Sequence, residues 1–241
     1  MTAPDIIRRS LLDGARHVSG PTIVIDTFRA FATAAYLFDR GVDRVVLSET
    51  LDEARDRARA IPGAILCGEE EGRRPTDFDL GNSPVEVEAH PDLDGRTVVM
   101  RTSAGTRGVV AALRSGADPV YAASLVVAGA TARAVRRYER VTIIAAGLGG
   151  VSIADEDEET SGLISGRILG LDDDPMRIDR ISAGEGAQRL RSTPWIDPAD
   201  FARCVDVDRF GFALHAVTID GIPSLRLAHV PESAPVTENG P

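Results

Sequence analysis

Between about residue 20 and residue 170, short β-branched runs alternate with stretches of helical period, and few architectures accept that rhythm. Thr22–Asp26 reads as a strand, and Arg29–Arg40 as a helix with Phe31, Ala34, Ala35 and Phe38 on one face. Arg44–Leu47, Ala64–Cys67, Arg96–Thr102, Val120–Ala123 and Val141–Ala145 read as further strands. Helices fall between them at Leu51–Ala60, from Thr106 to Leu113, and up to about Tyr138. Parallel neighbours need a crossover long enough to return the chain, so this spacing builds βαβ units. The expectation is a three-layer α/β/α fold around a largely parallel mixed sheet.

Beyond Gly147 the pattern changes. An acidic loop at Ala154–Glu159 leads to a helix near Ser161–Leu169, and Asp172–Pro175 reads as a surface turn. Phe212–Ile219 and Ser224–Val230 flank Asp220-Gly221, a hairpin signal that predicts an antiparallel addition to the sheet. The 241 residues suffice for one domain or two lobes over 1–230, with a polar, disordered tail over 231–241.

Composition narrows the chemistry. A net charge of −10 argues against nucleic-acid binding, which needs a basic face. All 27 basic residues are Arg. Without Lys, neither Schiff-base chemistry nor a Walker-type phosphate loop is open to the chain. Any phosphate falls to Arg, backbone N–H groups, hydroxyls or a metal ion. No apolar run reaches the roughly 20 residues that span a bilayer, and no secretory leader is visible. A cytoplasmic location is expected, with Cys67 and Cys204 as reduced thiols.

Candidate chemistry gathers at the ends of the expected strands. Cys67-Gly68-Glu69-Glu70-Glu71-Gly72-Arg73-Arg74 runs on to Asp77-Phe78-Asp79-Leu80-Gly81-Asn82-Ser83-Pro84, a polar, glycine-punctuated stretch after an apolar strand. Its carboxylates could hold a hard cation, and its Arg and N–H groups an anion. Asn82-Ser83-Pro84 also suits a helix start. Asp26 ends the first strand and reads two ways, as an N-cap or as a ligand or nucleophile. Residue 28 is Phe, so the Asp-x-Asp of haloacid-dehalogenase phosphatases is lacking. Cys67 and Arg73 have the Cys-x5-Arg spacing of thiol phosphatases, but the three Glu between them would repel a dianion. Thr102-Ser103-Ala104-Gly105-Thr106-Arg107 combines hydroxyls, a Gly and a helix start, which suits an anion.

Taken together, these stretches resemble the 2-phosphosulfolactate phosphatase (ComB) family. The matching strings are Val24–Ala30, Gly68-Glu69, Phe78–Pro84 and Thr102–Arg107, with weaker matches at Glu156-Asp157, Gly162 and Cys204–Leu214. The resemblance implies a Mg²⁺-dependent phosphatase converting 2-phospho-3-sulfolactate to 3-sulfolactate and phosphate. It implies metal binding and catalysis by Asp26, Glu69, Asp79 and Asp157, with Asp26 and Asp79 central to the chemistry. Substrate would be held by Arg29, Arg73, Asn82, Ser83, Thr102, Ser103, Thr106 and Arg107. A phosphorylated Asp26 and a metal-activated water are both open routes, and a homodimer is an expectation. The chain departs from the family pattern at Glu70 (Arg in the family), at Ala104 (Asn), and over Gly150–Asp157, which lacks the family's Arg. Two alternatives follow from the departures: a non-catalytic anion-binding protein, or a phosphatase for another phosphorylated hydroxy acid.

Overall fold

The computed structural model describes residues 3–230, so the tail expected over 231–241 lies outside the described residues. In chain order the first half holds β1 (Asp5–Ser10), α1 (Leu11–Gly14), β2 (Thr22–Ile25), α2 (Ala30–Asp39), β3 (Arg44–Ser48) and α3 (Leu51–Ala60). Next come β4 (Ile65–Gly68), α4 (Pro84–Ala89), β5 (Thr97–Arg101), α5 (Gly105–Arg114) and β6 (Val120–Ala123). A 3₁₀ turn at Leu125–Val127 opens α6 (Ala128–Val135), followed by β7 (Arg140–Ala145) and α7 (Asp155–Leu169). The chain closes with α8 (Arg177–Ala183), α9 (Glu185–Ser192), α10 (Ala199–Cys204), β8 (Phe212–Ile219) and β9 (Ile222–His229).

The strands form one nine-stranded sheet in the order β1-β7-β2-β6-β8-β9-β3-β5-β4. The block β1-β7-β2-β6 is parallel throughout, as is β3-β5-β4. The hairpin β8–β9 joins them by antiparallel pairing to β6 on one side and β3 on the other. The hairpin expected as an addition is therefore the seam of the sheet. Its turn, Asp220-Gly221, has the positive φ at both residues that a tight hairpin requires.

Strand alternation sets the layers. Val24, Val45, Leu47, Val98, Met100 and Ala122 share one core with α2 and α5, across both blocks. Ile23, Ile25, Tyr121, Ala123 and Ile143 face the opposite side, under α6, α7 and α8. Val46 and Val99 pack with Ala54 of α3 and with Phe78. The fold is thus three-layer α/β/α. Through the ladder the two blocks run in opposite senses, yet the ends of β2 and β5 meet, the Asp26 carboxylate accepting from Gly105 N–H at 2.9 Å. Five neighbour steps separate these strands. Twist of about 20–25° per step accumulates to more than a right angle, and this coiling swings the strand ends towards one another.

One expectation changes, and one strand is added to those expected. The acidic run read as a loop at Ala154–Glu159 is mostly the first turns of α7, where carboxylates complement the helix dipole. Asp5–Ser10 is an edge strand paired with β7; its two apolar residues, Ile6 and Ile7, are adjacent, so it shows neither a period of two nor a continuous apolar run.

Candidate active site

A cavity of about 650 Å³ opens where the loops after β2, β4, β5 and β7 converge. Asp26 comes from the first of these loops, Glu69 from the second, Ser103 from the third and Asp157 from the first turn of α7, beyond the fourth. Asp26 follows the wholly buried β2; its Oδ1 accepts from Ala30 N–H at 3.2 Å and its Oδ2 from Gly105 N–H at 2.9 Å. Asp26 thus accepts from the first N–H of α2, whose N-cap position is Arg29, and it also lines the cavity. A Cβ on residue 105 would stand 2.8 Å from Asp26 Oδ2, so Gly105 is what lets α5 begin against that carboxylate.

Asp157 ties two other loops together. Thr27 N–H donates to its Oδ1 at 2.7 Å and Gly147 N–H to its Oδ2 at 2.8 Å. Glu69 is more fully engaged, accepting from Ser103 N–H at 2.5 Å, Ser103 Oγ at 3.0 Å and Gly72 N–H at 2.7 Å. It braces the loop after β4 against the loop after β5. Glu156, also buried on the cavity wall, packs against Gly186 of α9.

Crowding these carboxyls away from water changes their ionisation. Burial pushes Asp26 up to about 7, offset by the Ala30 N–H and aided by the charge of Glu69. Burial and then the charge of Asp26 hold Asp157 well above the usual carboxylate range. Glu156 is raised too, chiefly by burial.

The cations line the same cavity. Arg29 is anchored through Nη1 to Asp200 Oδ2 at 2.5 Å, and both groups are buried. Asp200 also accepts from Ser83 Oγ at 2.7 Å and Val85 N–H at 3.0 Å, which locks α10 to the start of α4. Arg107 donates to Ser103 O at 3.2 Å and Arg101 to Glu69 O at 2.7 Å. Asn82 lines the cavity, and its Oδ1 is buried with no hydrogen-bond partner. A buried polar atom left unpaired costs stability, so this one points to a ligand.

Several expected site residues lie elsewhere. Asp79 is exposed and accepts from Leu66 N–H at 2.8 Å, outside the cavity. The cause is alternation: Phe78 and Leu80 turn into the core, Leu80 bridging Cys67, so Asp79 turns outward. Thr102 and Thr106 are buried and satisfy each other, Thr102 N–H donating to Thr106 Oγ1 at 2.9 Å and Thr106 N–H to Thr102 Oγ1 at 3.1 Å. They brace the start of α5 and do not line the cavity. Ser83 is the N-cap of α4, accepting from Glu86 N–H at 3.2 Å. Arg73 stacks on the Trp195 ring, 3.6 Å from its centroid, at the rim. Cys67 is fully buried, and burial pushes its thiol up, opposite to what a thiolate nucleophile needs. Asp26, Arg29, Glu69, Asn82, Ser103, Arg107 and Asp157 do converge. Asp200, Arg189 and Trp195 went unrecognised. They come from a segment about a hundred residues away in sequence, without a motif.

Among the described residues no three His, Cys, Asp or Glu side chains form a ready metal cage. Mg²⁺ needs less, taking one or two carboxylates and keeping water and phosphate oxygens for the rest. Asp26 and Asp157, buried and repelling one another, fit such a cation, which would let both ionise. Glu69 already accepts from three donors and Asp79 lies outside the cavity, so of the four carboxylates expected at a metal Asp26 and Asp157 are the ones the geometry leaves facing it.

Buried carboxyls and flanking arginines at the strand ends of a coiled mixed sheet define an α/β protein with an acidic, arginine-lined ligand cavity. A family profile described as 2-phosphosulpholactate phosphatase matches residues 8–193. The chain belongs to that family, and so to the phosphoric monoester hydrolases. It is 36% identical over 188 residues to a probable 2-phosphosulfolactate phosphatase of Deinococcus radiodurans, covering 73% of this chain and 76% of the relative. A protein of the same name from Thermotoga petrophila is 30% identical over 69% of this chain and 66% of its own length. The Bacillus subtilis counterpart is 29% identical over 76% and 78%. Among the described residues no helix is long and apolar enough to cross a membrane.

Proposed function

We propose that the chain is a Mg²⁺-dependent phosphatase acting on a small anionic phosphate ester, 2-phospho-3-sulfolactate being the substrate that the relatives' names suggest. The observation that carries this is the floor of the cavity. There Asp26 and Asp157 are each fixed by two backbone N–H groups beside Arg29, Arg107 and the unpartnered Asn82 Oδ1. Hydrolysis forms a P–O bond to water, breaks the P–O bond to the ester oxygen, and passes a proton to the departing alkoxide. Asp26 and Asp157 would hold Mg²⁺, which supplies charge neutralisation at phosphate and a more acidic water. Asp26 is placed to take a proton from water or to attack phosphorus itself. Glu156, raised by burial, is placed to protonate the leaving oxygen. Arg29, held by Asp200, and Arg107, held by Ser103 O, present guanidinium groups to phosphoryl oxygens.

A cytoplasmic location is part of this proposal and fits the two free, buried thiols; the homodimer remains an expectation on which the site does not depend. The test is phosphate release from a panel of small esters with and without Mg²⁺. Release that requires Mg²⁺ supports the reading. Tight binding of the same esters without release, independent of metal, would instead favour the non-catalytic alternative.

A further inference from the structure

Four arginines line the cavity, and three of them are committed within the protein. Arg29 is paired with Asp200, and Arg107 donates to Ser103 O at 3.2 Å. Arg101 donates to Glu69 O at 2.7 Å and faces Glu70 at 3.8 Å. Arg189 differs. Among the described residues its guanidinium donates no hydrogen bond, and its one acidic neighbour, Glu156 Oε1, stands at 3.9 Å, beyond hydrogen-bond reach. Its side chain is 43% exposed, against 8% for Arg29 and 11% for Arg101. A guanidinium whose fork of N–H donors is unclaimed at a cavity wall is suited to a carboxylate or sulfonate.

The fold holds this residue in place from both sides. Residues 186 and 189 are three apart and share a face of α9. A Cβ on residue 186 would stand 2.1 Å from Glu156 Oε2, so Gly186 is what lets that face press against the start of α7. Beyond α9, Trp195 Nε1 donates to Gly72 O at 3.1 Å and Arg73 stacks on the ring, which ties the segment to the loop after β4. The cations thus fall into two sets on separate elements. Arg29 and Arg107 belong with the loops after β2 and β5, joined through Asp26 and Gly105; Arg189 belongs to α9, beside Glu156. If Glu156 protonates the leaving oxygen, the alcohol portion of the ester lies next to Arg189.

We infer that Arg189 is a specificity-determining residue of this site, binding an acid group carried on the alcohol portion of the substrate. This rests on the reading that the floor holds the phosphoryl group. The ligands selected are small monoesters bearing a carboxylate or sulfonate, and discrimination against uncharged esters lies in α9, away from the hydrolytic groups.

Phosphonates, which share the head group but resist hydrolysis, separate binding from turnover. The compounds 3-phosphonopropionate and propylphosphonate have the same chain and differ only in the terminal carboxylate. Calorimetry in the presence of Mg²⁺ is expected to show the carboxylate compound binding about tenfold or more tightly, the size of one charge-assisted pair. Arg189→Met keeps the length of the side chain and removes its charge, and should bring the two affinities within about twofold of one another. Arg189→Lys, which restores the charge without the planar fork, should recover part of the preference. A merely structural role for Arg189 would weaken both ligands alike and leave their ratio intact. Equal affinities in the wild-type chain, or a preference that survives Arg189→Met, overturn the assignment and leave the phosphoryl reading of the floor standing. If neither phosphonate binds, the floor is no phosphoryl site and the assignment falls with it. The expected preference together with no phosphate release from any ester supports the assignment and removes the phosphatase reading.

Discussion

Asn82 shows how a single residue can be costly to the fold and useful to the site. Its Oδ1 is buried without a partner, a burden that a ligand would relieve. Asn82→Ala should leave the melting temperature equal or higher while KM rises several-fold, because the amide oxygen would no longer accept from a hydroxyl of the ligand, an effect of about the size of one hydrogen bond. Thermal unfolding and steady-state kinetics check the two halves. The neighbouring motif was only partly legible. Residue types announced a site, but which side chains enter the cavity depends on alternation within Phe78–Leu80 and on the mutual pairing of Thr102 and Thr106. Spacing in sequence is blind to both. Glu69, Ser103 and Asp157 do line the cavity, because each follows a strand or opens a helix, where side chains turn to the sheet's end.

At the scale of elements, the site depends on a helix that the sequence left unplaced. Asp200 of α10 joins Arg29 of the first loop to Ser83 and Val85 at the start of α4. Removing one partner of a buried ion pair costs about 3–5 kcal/mol. Asp200→Ala should lower stability by that order in urea unfolding and raise KM as Arg29 loses its anchor; unchanged stability would mean the pair contributes little. The helices α8 to α10 escaped sequence reading because they are short and Arg/Asp-rich, burying few apolar side chains such as Ile181, Leu190 and Cys204. The long central elements were legible for the opposite reason, since continuous apolar strands such as Thr22–Ile25 have no other use. The hairpin was visible from Asp220-Gly221, but its place at the seam depends on partners distant in sequence.

Across the whole molecule, buried carboxyls link stability to pH and metal. Asp26 has its pKa raised from an ordinary 3.8 to about 7 in the folded chain. Between about pH 4 and 7 the unfolded chain therefore releases a proton that the folded chain retains, and stability falls as pH rises through that window. Asp157 and Glu156, also raised, act in the same direction. The lowered carboxyls, Glu159 and Asp173, titrate at lower pH, while His215, lowered by burial, opposes the trend by a single proton against three raised carboxyls. Metal-free protein should lose roughly 5 °C or more of melting temperature from pH 5 to pH 8, and Mg²⁺ should restore more of it at pH 8 than at pH 5. A flat profile would show that these carboxyls are ordinarily solvated. The most direct measurement compares Mg²⁺-dependent phosphate release by the wild-type chain, Asp26→Asn and Asp79→Asn on one turned-over ester. A floor built on Asp26 and Asp157 predicts that Asp26→Asn loses about 10²-fold or more in kcat while Asp79→Asn stays within about twofold of wild type. Full activity in Asp26→Asn, or its loss in Asp79→Asn alone, would contradict the account.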